Sequence, residues 1–269
     1  MNKQKRMAKL FGKDGKTIIV ALDGFAFSKN TDGIDFSVKN VKNLLKYGLN
    51  AALVTYGQAQ MFEEDLIDVP TVLRVDGSVN VFDGNVPETA QFFDVKDALK
   101  LGADGVVCMT FPGAKGREEF SHKMLTYLAQ QGEIWNVPVL AETLPYSYPV
   151  LNEESGDPMN VRTAARLGAE YGADVIKTRM TGDIETDKKI VENTHRPVVA
   201  LGGPKTSNEE YFKFVRNLMD AGVKGIACGR NITQDPNPVG KVAALSAIIH
   251  DDKSVDEALK IYNNVKSEH

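Results

Sequence analysis

The sequence predicts an α/β chain folded as a single (β/α)8 TIM barrel over residues 1–269, with a short helix ahead of the first strand. Three observations carry that expectation. Eight short apolar runs recur along the chain. Most are separated by stretches long enough for one helix and two loops. Glycine and proline alternate as punctuation in front of them. The runs are 17–23, 51–57, 71–76, 105–111, 137–143, 173–178, 197–203 and 225–230. They are nearly continuous in Val, Ile, Leu and Ala, as strands covered on both faces of a parallel sheet must be. Spacings of roughly 20–30 residues fit the crossover helix that parallel strands need.

Taken in order, residues 6–11 form a short amphipathic stretch ended by Gly12, a helix whose basic residues are expected to face solvent. The second, fourth, sixth and eighth runs each follow a glycine: Gly48, Gly102, Gly172 and Gly222. Glycine closes a helix because the residue after the cap commonly takes a left-handed conformation. The third, fifth and seventh runs instead begin at or beside Pro70, Pro138 and Pro197, where a missing N–H costs the ladder nothing. Two βα units therefore form the repeat, seen about four times, and eight parallel strands of this kind most simply close. An open doubly wound sheet is the alternative. It would carry a glycine fingerprint after its first strand, and Asp23-Gly24-Phe25-Ala26-Phe27 is not one. Ser254-Val255-Asp256-Glu257 is a capping box that opens the last helix.

Composition narrows the function classes. A net charge of −4 lacks the basic footprint of a nucleic-acid binder. With 42% hydrophobic residues, the chain can build a core and is not disordered. No apolar stretch approaches the roughly 20 residues of a membrane span, and the basic start has no apolar segment behind it, so neither membrane nor secretory signal is expected. Cys108 and Cys228 lie in apolar runs and form no disulfide framework. The expected setting is the cytoplasm. His122, His195, His250 and His269 end no strand, so a metal centre is not expected.

In a barrel, chemistry sits at the C-terminal ends of strands. Those ends read Asp23, Tyr56, Asp76, Glu142, Lys177, Gly202-Gly203 and Gly229-Arg230. Lys177 stands out because it closes an apolar strand, where burial favours a neutral amine able to attack a carbonyl. A lysine there otherwise reaches solvent or pairs with Glu142 or Asp183. The glycines after the seventh and eighth runs, with Arg230, stand where barrels hold phosphate on backbone N–H groups.

Five segments resemble the archaeal-type class I fructose-bisphosphate aldolases, in the superfamily shared with deoxyribose-phosphate and tagatose-bisphosphate aldolases. They are Ile19-Val20-Ala21-Leu22-Asp23, Tyr146-Ser147-Tyr148-Pro149, Gly172 to Thr178 with Thr181-Gly182-Asp183, Gly202-Gly203-Pro204-Lys205-Thr206, and Gly229-Arg230-Asn231-Ile232. The resemblance implies a Schiff-base lysine at Lys177, a proton-transferring Tyr148 and a helper carboxylate at Asp23. It implies substrate and phosphate binding by Gly202, Gly203, Gly229, Arg230 and Tyr146. It also implies a phosphorylated substrate, a covalent imine in place of any cofactor or metal, and a homo-oligomer, decamers occurring among relatives. The reaction expected is cleavage of fructose 1,6-bisphosphate to dihydroxyacetone phosphate and glyceraldehyde 3-phosphate, a step of glycolysis.

Three departures keep other activities open. Gly24 follows Asp23 where many members carry histidine, which counts against a 3-hydroxy-5-phosphonooxypentane-2,4-dione thiolase. Tyr146 stands in place of Trp, and Val150-Leu151 in place of Arg-Gly, which weakens fructose 1,6-bisphosphate specifically. A transaldolase-type 2-amino-3,7-dideoxy-D-threo-hept-6-ulosonate synthase or, despite Gly24, that thiolase remains an alternative, as does a barrel that binds phosphorylated sugar without turnover.

Overall fold

The computed structural model describes residues 1–82 and 88–265; His269 lies outside them. In chain order the strands are β1 (Thr17–Ala21), β2 (Ala51–Val54), β3 (Thr71–Arg74), β4 (Asp76–Ser78), β5 (Thr89–Gln91), β6 (Gly105–Thr110), β7 (Val139–Thr143), β8 (Val175–Thr178), β9 (Val198–Leu201) and β10 (Gly225–Cys228). Eight of them run parallel and close a barrel in the order β1-β2-β3-β6-β7-β8-β9-β10, with β10 pairing back to β1. Each barrel strand falls inside one predicted run. The other two, β4 and β5, form an antiparallel hairpin at the exit of β3 that the sequence does not predict. The run at 71–76 is therefore two elements, and Asp76 opens the hairpin rather than ending a barrel strand. Tyr56 likewise begins a helix, Tyr56–Met61, after β2 has ended.

The glycine punctuation has the predicted cause. Gly48, Gly102, Gly172 and Gly222 all have positive φ, from 75° to 105°. The next residue closes back on the helix each time, as in Ala103 N–H donating to the Ala98 carbonyl at 2.9 Å, the hydrogen bond that defines this helix stop. Pro70, Pro138 and Pro197 each directly precede their strand. The predicted capping box at Ser254 and Glu257 is formed.

Side chains alternate across every barrel strand. Ile18, Leu73, Ala141 and Ile176 point outward into the layer shared with the helices. Ile19, Val72, Val107, Leu140, Val175 and Val199 fill the barrel interior. Below that layer lies the N-terminal helix, Lys3–Leu10, whose Leu10 is fully buried against it, with Met7 and Phe11 packed alongside. Its basic residues do not simply face solvent as expected. Lys3 pairs with Asp174, and Lys9 and Arg6 pair with Asp104, the aspartates that immediately precede β8 and β6. The helix thus closes the bottom of the barrel by apolar contact inside and ion pairs around it. Among the described residues, no helix is long and apolar enough to cross a membrane.

Candidate active site

The strand alternation that buries the interior layer also builds the site. Two residues beyond Val72, Leu140 and Val175, on the same inward face, stand Arg74, Glu142 and Lys177. Lys177 is 3% exposed. Its Nζ donates to Glu142 Oε2 at 3.0 Å, so of the two carboxylates expected as partners, Glu142 is the one it meets. Asp183 instead caps the following helix by accepting from the Thr186 N–H.

Arg74 is the hub. Its Nε donates to Asp23 Oδ2 at 2.8 Å, and its Nη2 lies 2.7 Å from the same oxygen. Nη1 reaches Asp76 Oδ1 at 3.3 Å, while Nη2 also donates to the Glu142 oxygen that holds Lys177. The guanidinium carbon sits 5.2 Å from the Phe27 ring centre. Asp23, in the short 3-10 turn Asp23–Ala26 after β1, is thereby linked to Lys177 through Arg74 and Glu142.

The charges in this cluster decide one another. Burial alone would raise the Glu142 pKa, but Lys177 and Arg74 outweigh it and hold the carboxyl at about 2. For Asp76 burial wins: despite Arg74 and the Met109 N–H, its pKa is pushed up to about 6. Burial would lower Arg74, yet Asp23, Glu142 and Asp76 together lift it well above the ordinary arginine value. Three carboxyls face two cations, and protonation of Asp76 near pH 6 brings the five groups close to neutral.

A second cluster forms where β9 and β10 end. Gly202 N–H donates to the Ala227 carbonyl at 3.1 Å. A Cβ on Gly202 would stand 2.9 Å from Cys228 Cα, so only glycine lets the two loops touch there. Asn231, 2% exposed, staples them. Its Nδ2 donates to the carbonyls of Gly202 (2.9 Å) and Pro204 (2.8 Å), and its Oδ1 accepts from the Thr206 N–H at 3.3 Å. Gly203, Gly229 and the exposed Arg230 flank that staple, and Arg230 opens the short helix Arg230–Thr233.

The loop after β7 carries the two tyrosines. Tyr148 is half-buried and packs, with Leu201, on the small cluster of Phe111, Ala114 and Leu144; among the described residues its hydroxyl has no hydrogen-bond partner. The Arg117 guanidinium lies 5.9 Å from its ring centre. The Tyr146 ring packs on Gly113, where an added Cβ would meet it at 2.6 Å. The structure thus brings Asp23 and Lys177 into one network and the three glycines with Arg230 into another. Among the described residues, no three His, Cys, Asp or Glu side chains are grouped to hold a metal ion.

Residues 17–235 match the DeoC/LacD family of aldolases. The chain belongs to that family. It is 31% identical to an uncharacterised aldolase of Saccharolobus solfataricus, over 95% of this chain and 97% of the relative. It is 30% identical to a class 1 fructose-bisphosphate aldolase of Thermoproteus tenax, over 97% and 99%. A 2-amino-3,7-dideoxy-D-threo-hept-6-ulosonate synthase of Halobacterium salinarum is 28% identical over 91% of each chain. Among solved structures, an archaeal fructose-1,6-bisphosphate aldolase with its catalytic lysine covalently bound to a carbinolamine intermediate superposes with a TM-score of 0.82. That pair shares 28% identity over 92% of this chain and 99% of the other.

This DeoC/LacD aldolase is a carbon–carbon lyase of the class I, Schiff-base type. Two parts of its site are not evident from sequence. Arg74 lies inside a run that reads as ending at Asp76, although an arginine between Leu73 and Val75 in a buried strand demands carboxylate partners. Asn231 lies inside one of the family-like segments, and its role as a staple between loops needs the fold to be seen.

Proposed function

We propose that Lys177 is the Schiff-base nucleophile of this aldolase, acting on a phosphorylated ketose, fructose 1,6-bisphosphate first among them. One observation carries the assignment: Lys177 is buried on the inward face of a barrel strand and held 3.0 Å from an ionised carboxylate. The Lys177 ammonium first gives up one proton, the freed amine adds to the substrate carbonyl, that proton is returned to the carbinolamine hydroxyl, water leaves, and an iminium forms. An iminium is a cation like the ammonium it replaces, so Glu142 faces one positive charge before and after, and the cluster needs no reorganisation. The iminium draws the electrons of the adjacent C–C bond, releasing the aldehyde and leaving an enamine. Tyr148, with its hydroxyl unengaged, takes the proton from the departing hydroxyl and returns one to the enamine carbon. Asp23, held through Arg74, supports the proton transfers of carbinolamine breakdown.

Borohydride added with fructose 1,6-bisphosphate is expected to leave a reduced adduct on the Lys177 peptide, read by mass, with EDTA making no difference. An adduct on Lys205, or activity lost to EDTA and restored by zinc, overturns the assignment. The similarity to the Halobacterium synthase supports a second reading, aldol-fragment transfer, which a panel of acceptor aldehydes separates from simple cleavage.

Gly202, Gly203, Gly229 and Arg230 are the proposed phosphate site, with Tyr146 lining the substrate channel. Arg230→Ala is expected to raise KM for the phosphorylated substrate more than it lowers kcat, as loss of uniform binding does. Equal turnover of the dephosphorylated sugar, with KM unchanged, removes the phosphate claim. The same reading takes residues 1–269 as one catalytic domain of a cytoplasmic, glycolytic homo-oligomer. The apolar side chains exposed on the helix Glu118–Trp135, namely Phe120, Tyr127, Ile134 and Trp135, support the association.

A further inference from the structure

Lys241 is the only charged side chain in the helix Pro238–Ile249, whose other residues are nearly all apolar and buried. It is 1% exposed. Its Nζ donates to Asn208 Oδ1 and lies 3.7 Å from Asp235 Oδ2. The ring centres of Tyr211 and Phe212 stand 4.8 and 4.9 Å from the same nitrogen. Withdrawing an ammonium from water is costly, and an apolar residue of similar volume often serves stability as well or better. The fold alone therefore gives no reason for a lysine at this position. The places its two polar partners hold in the chain do.

Asn208 opens the helix Asn208–Asp220, directly after the loop that carries Gly202 and Gly203. Asp235 follows the short helix Arg230–Thr233. One buried ammonium thus joins the far ends of the two loops after β9 and β10. Asn231 joins them nearer the strands, and Lys205 adds a third link, its Nζ donating to the Gln234 carbonyl at 2.6 Å. Asp235 is itself fixed. Its Oδ1 accepts from the Asn237 N–H and the Tyr262 hydroxyl, both at 2.8 Å, which leaves Oδ2 to face Lys241. A phosphate held on backbone N–H groups from two loops needs those groups aimed at one point, so the spacing of the loops governs its affinity.

We propose that Lys241 is a positioning residue for phosphate: its ammonium, bridging Asn208 and Asp235, sets the spacing of the two glycine loops and with it the affinity for a phosphorylated ketone. This rests on the Schiff-base and phosphate-loop reading above. Lys241 acts through the loops and not on the substrate, because its neighbours Tyr211 and Phe212 belong to the layer between strands and helices. β9 is the strand next to β8, so a ketone whose carbonyl is on Lys177 has its own phosphate within reach of these loops.

The test compares dihydroxyacetone phosphate with dihydroxyacetone, two ketones that offer Lys177 the same carbonyl, by the concentration of each that gives half-maximal borohydride adduct. Lys241→Met keeps the length of the side chain and removes the charge. It is expected to raise the half-saturating concentration of dihydroxyacetone phosphate about tenfold, as misplaced binding groups do. That of dihydroxyacetone, and the adduct formed at saturation, should not move. Asp235→Asn keeps the shape and an oxygen for Asn237 and Tyr262, breaks the same bridge from its other end, and should act on the same ketone in the same direction. The double variant should be no worse than Lys241→Met alone, as for two residues that act as one unit. A rise equal for both ketones marks a role in the fold and overturns the inference, and so does no rise at all. Should Lys241→Met fail to fold, Asp235→Asn decides by the same comparison. Arg230→Ala is measured in parallel. Absence of any adduct in the wild-type enzyme overturns the Schiff-base reading beneath, and an Arg230→Ala enzyme that treats the two ketones as the wild type does overturns the phosphate-loop reading. A selective loss in Arg230→Ala, with none in Lys241→Met or Asp235→Asn, overturns only the role of Lys241.

Discussion

Lys177→Ala is expected to abolish turnover and the borohydride adduct together while leaving the barrel folded. The fold survives because Glu142, deprived of Lys177, still holds Arg74, so no carboxylate is stranded without a cation. Far-UV circular dichroism and the urea midpoint should therefore stay near those of the wild type. Tyr148→Phe supplies the contrast. It should still form the adduct, since imine formation uses Lys177 and Asp23 rather than the tyrosine hydroxyl, but turn over roughly 10²–10⁴-fold more slowly, the usual contribution of a positioned proton-transfer group. Residual catalysis in Lys177→Ala at more than a trace level would mean that another amine carries the chemistry.

Arg74→Met carries the largest expected effect on stability. It leaves Asp23, Asp76 and Glu142 facing one another with only Lys177 to answer them. Breaking a buried pair by removing one partner typically costs about 3–5 kcal/mol, because the stranded charge stays buried. The pH dependence follows from the signs. In the wild type Glu142 is held at about 2, below its ordinary 4.5, so it adds stability above pH 4.5 that is lost as pH falls towards 2. Asp76 is raised from 3.8 to about 6, so it subtracts stability as pH rises through that window. Without Arg74 the carboxyls bind protons more readily in the folded state, and the variant's stability should fall as pH rises. Urea unfolding at pH 5 and pH 8 is the measurement, with the larger loss expected at pH 8. A loss under about 1 kcal/mol, equal at both pH values, would show that Arg74 is not the counter-charge of this cluster.

The barrel is legible in the sequence because its punctuation is local. A left-handed glycine after a helix, or a proline before a strand, declares itself within a few residues, and Gly48, Gly102, Gly172 and Gly222 take the conformation their position requires. Lys177 and Asp23 are legible for a related reason: a charged residue that closes an apolar run sits at a strand end, where the barrel mouth lies. Arg74 is not, because its meaning lies in partners contributed from the turn after β1, from β4 and from β7, separate stretches of the chain. The hairpin β4–β5 stays hidden because strands of three residues carry too few side chains to show a period. The basic N-terminal helix misleads on the same ground as Arg74. Lys3 and Lys9 look solvent-bound until Asp174 and Asp104, 171 and 95 residues further on, are seen beside them.

Those separations say when, during synthesis, the N-terminal helix can find its place. Its apolar side rests on a layer drawn from strands all round the barrel, and one of its ion pairs waits for Asp174. The ring itself closes only when β10 pairs with β1, Thr17 meeting Gly225. At a translation rate of about 5–20 residues per second, roughly 10–40 s pass between the emergence of those two strands. Through that interval β1 has β2 as its only partner available in the ring, and the helix has no floor to seal. Contacts between residues so distant in sequence make folding slow. The first ten residues of this chain are therefore among the last to be secured.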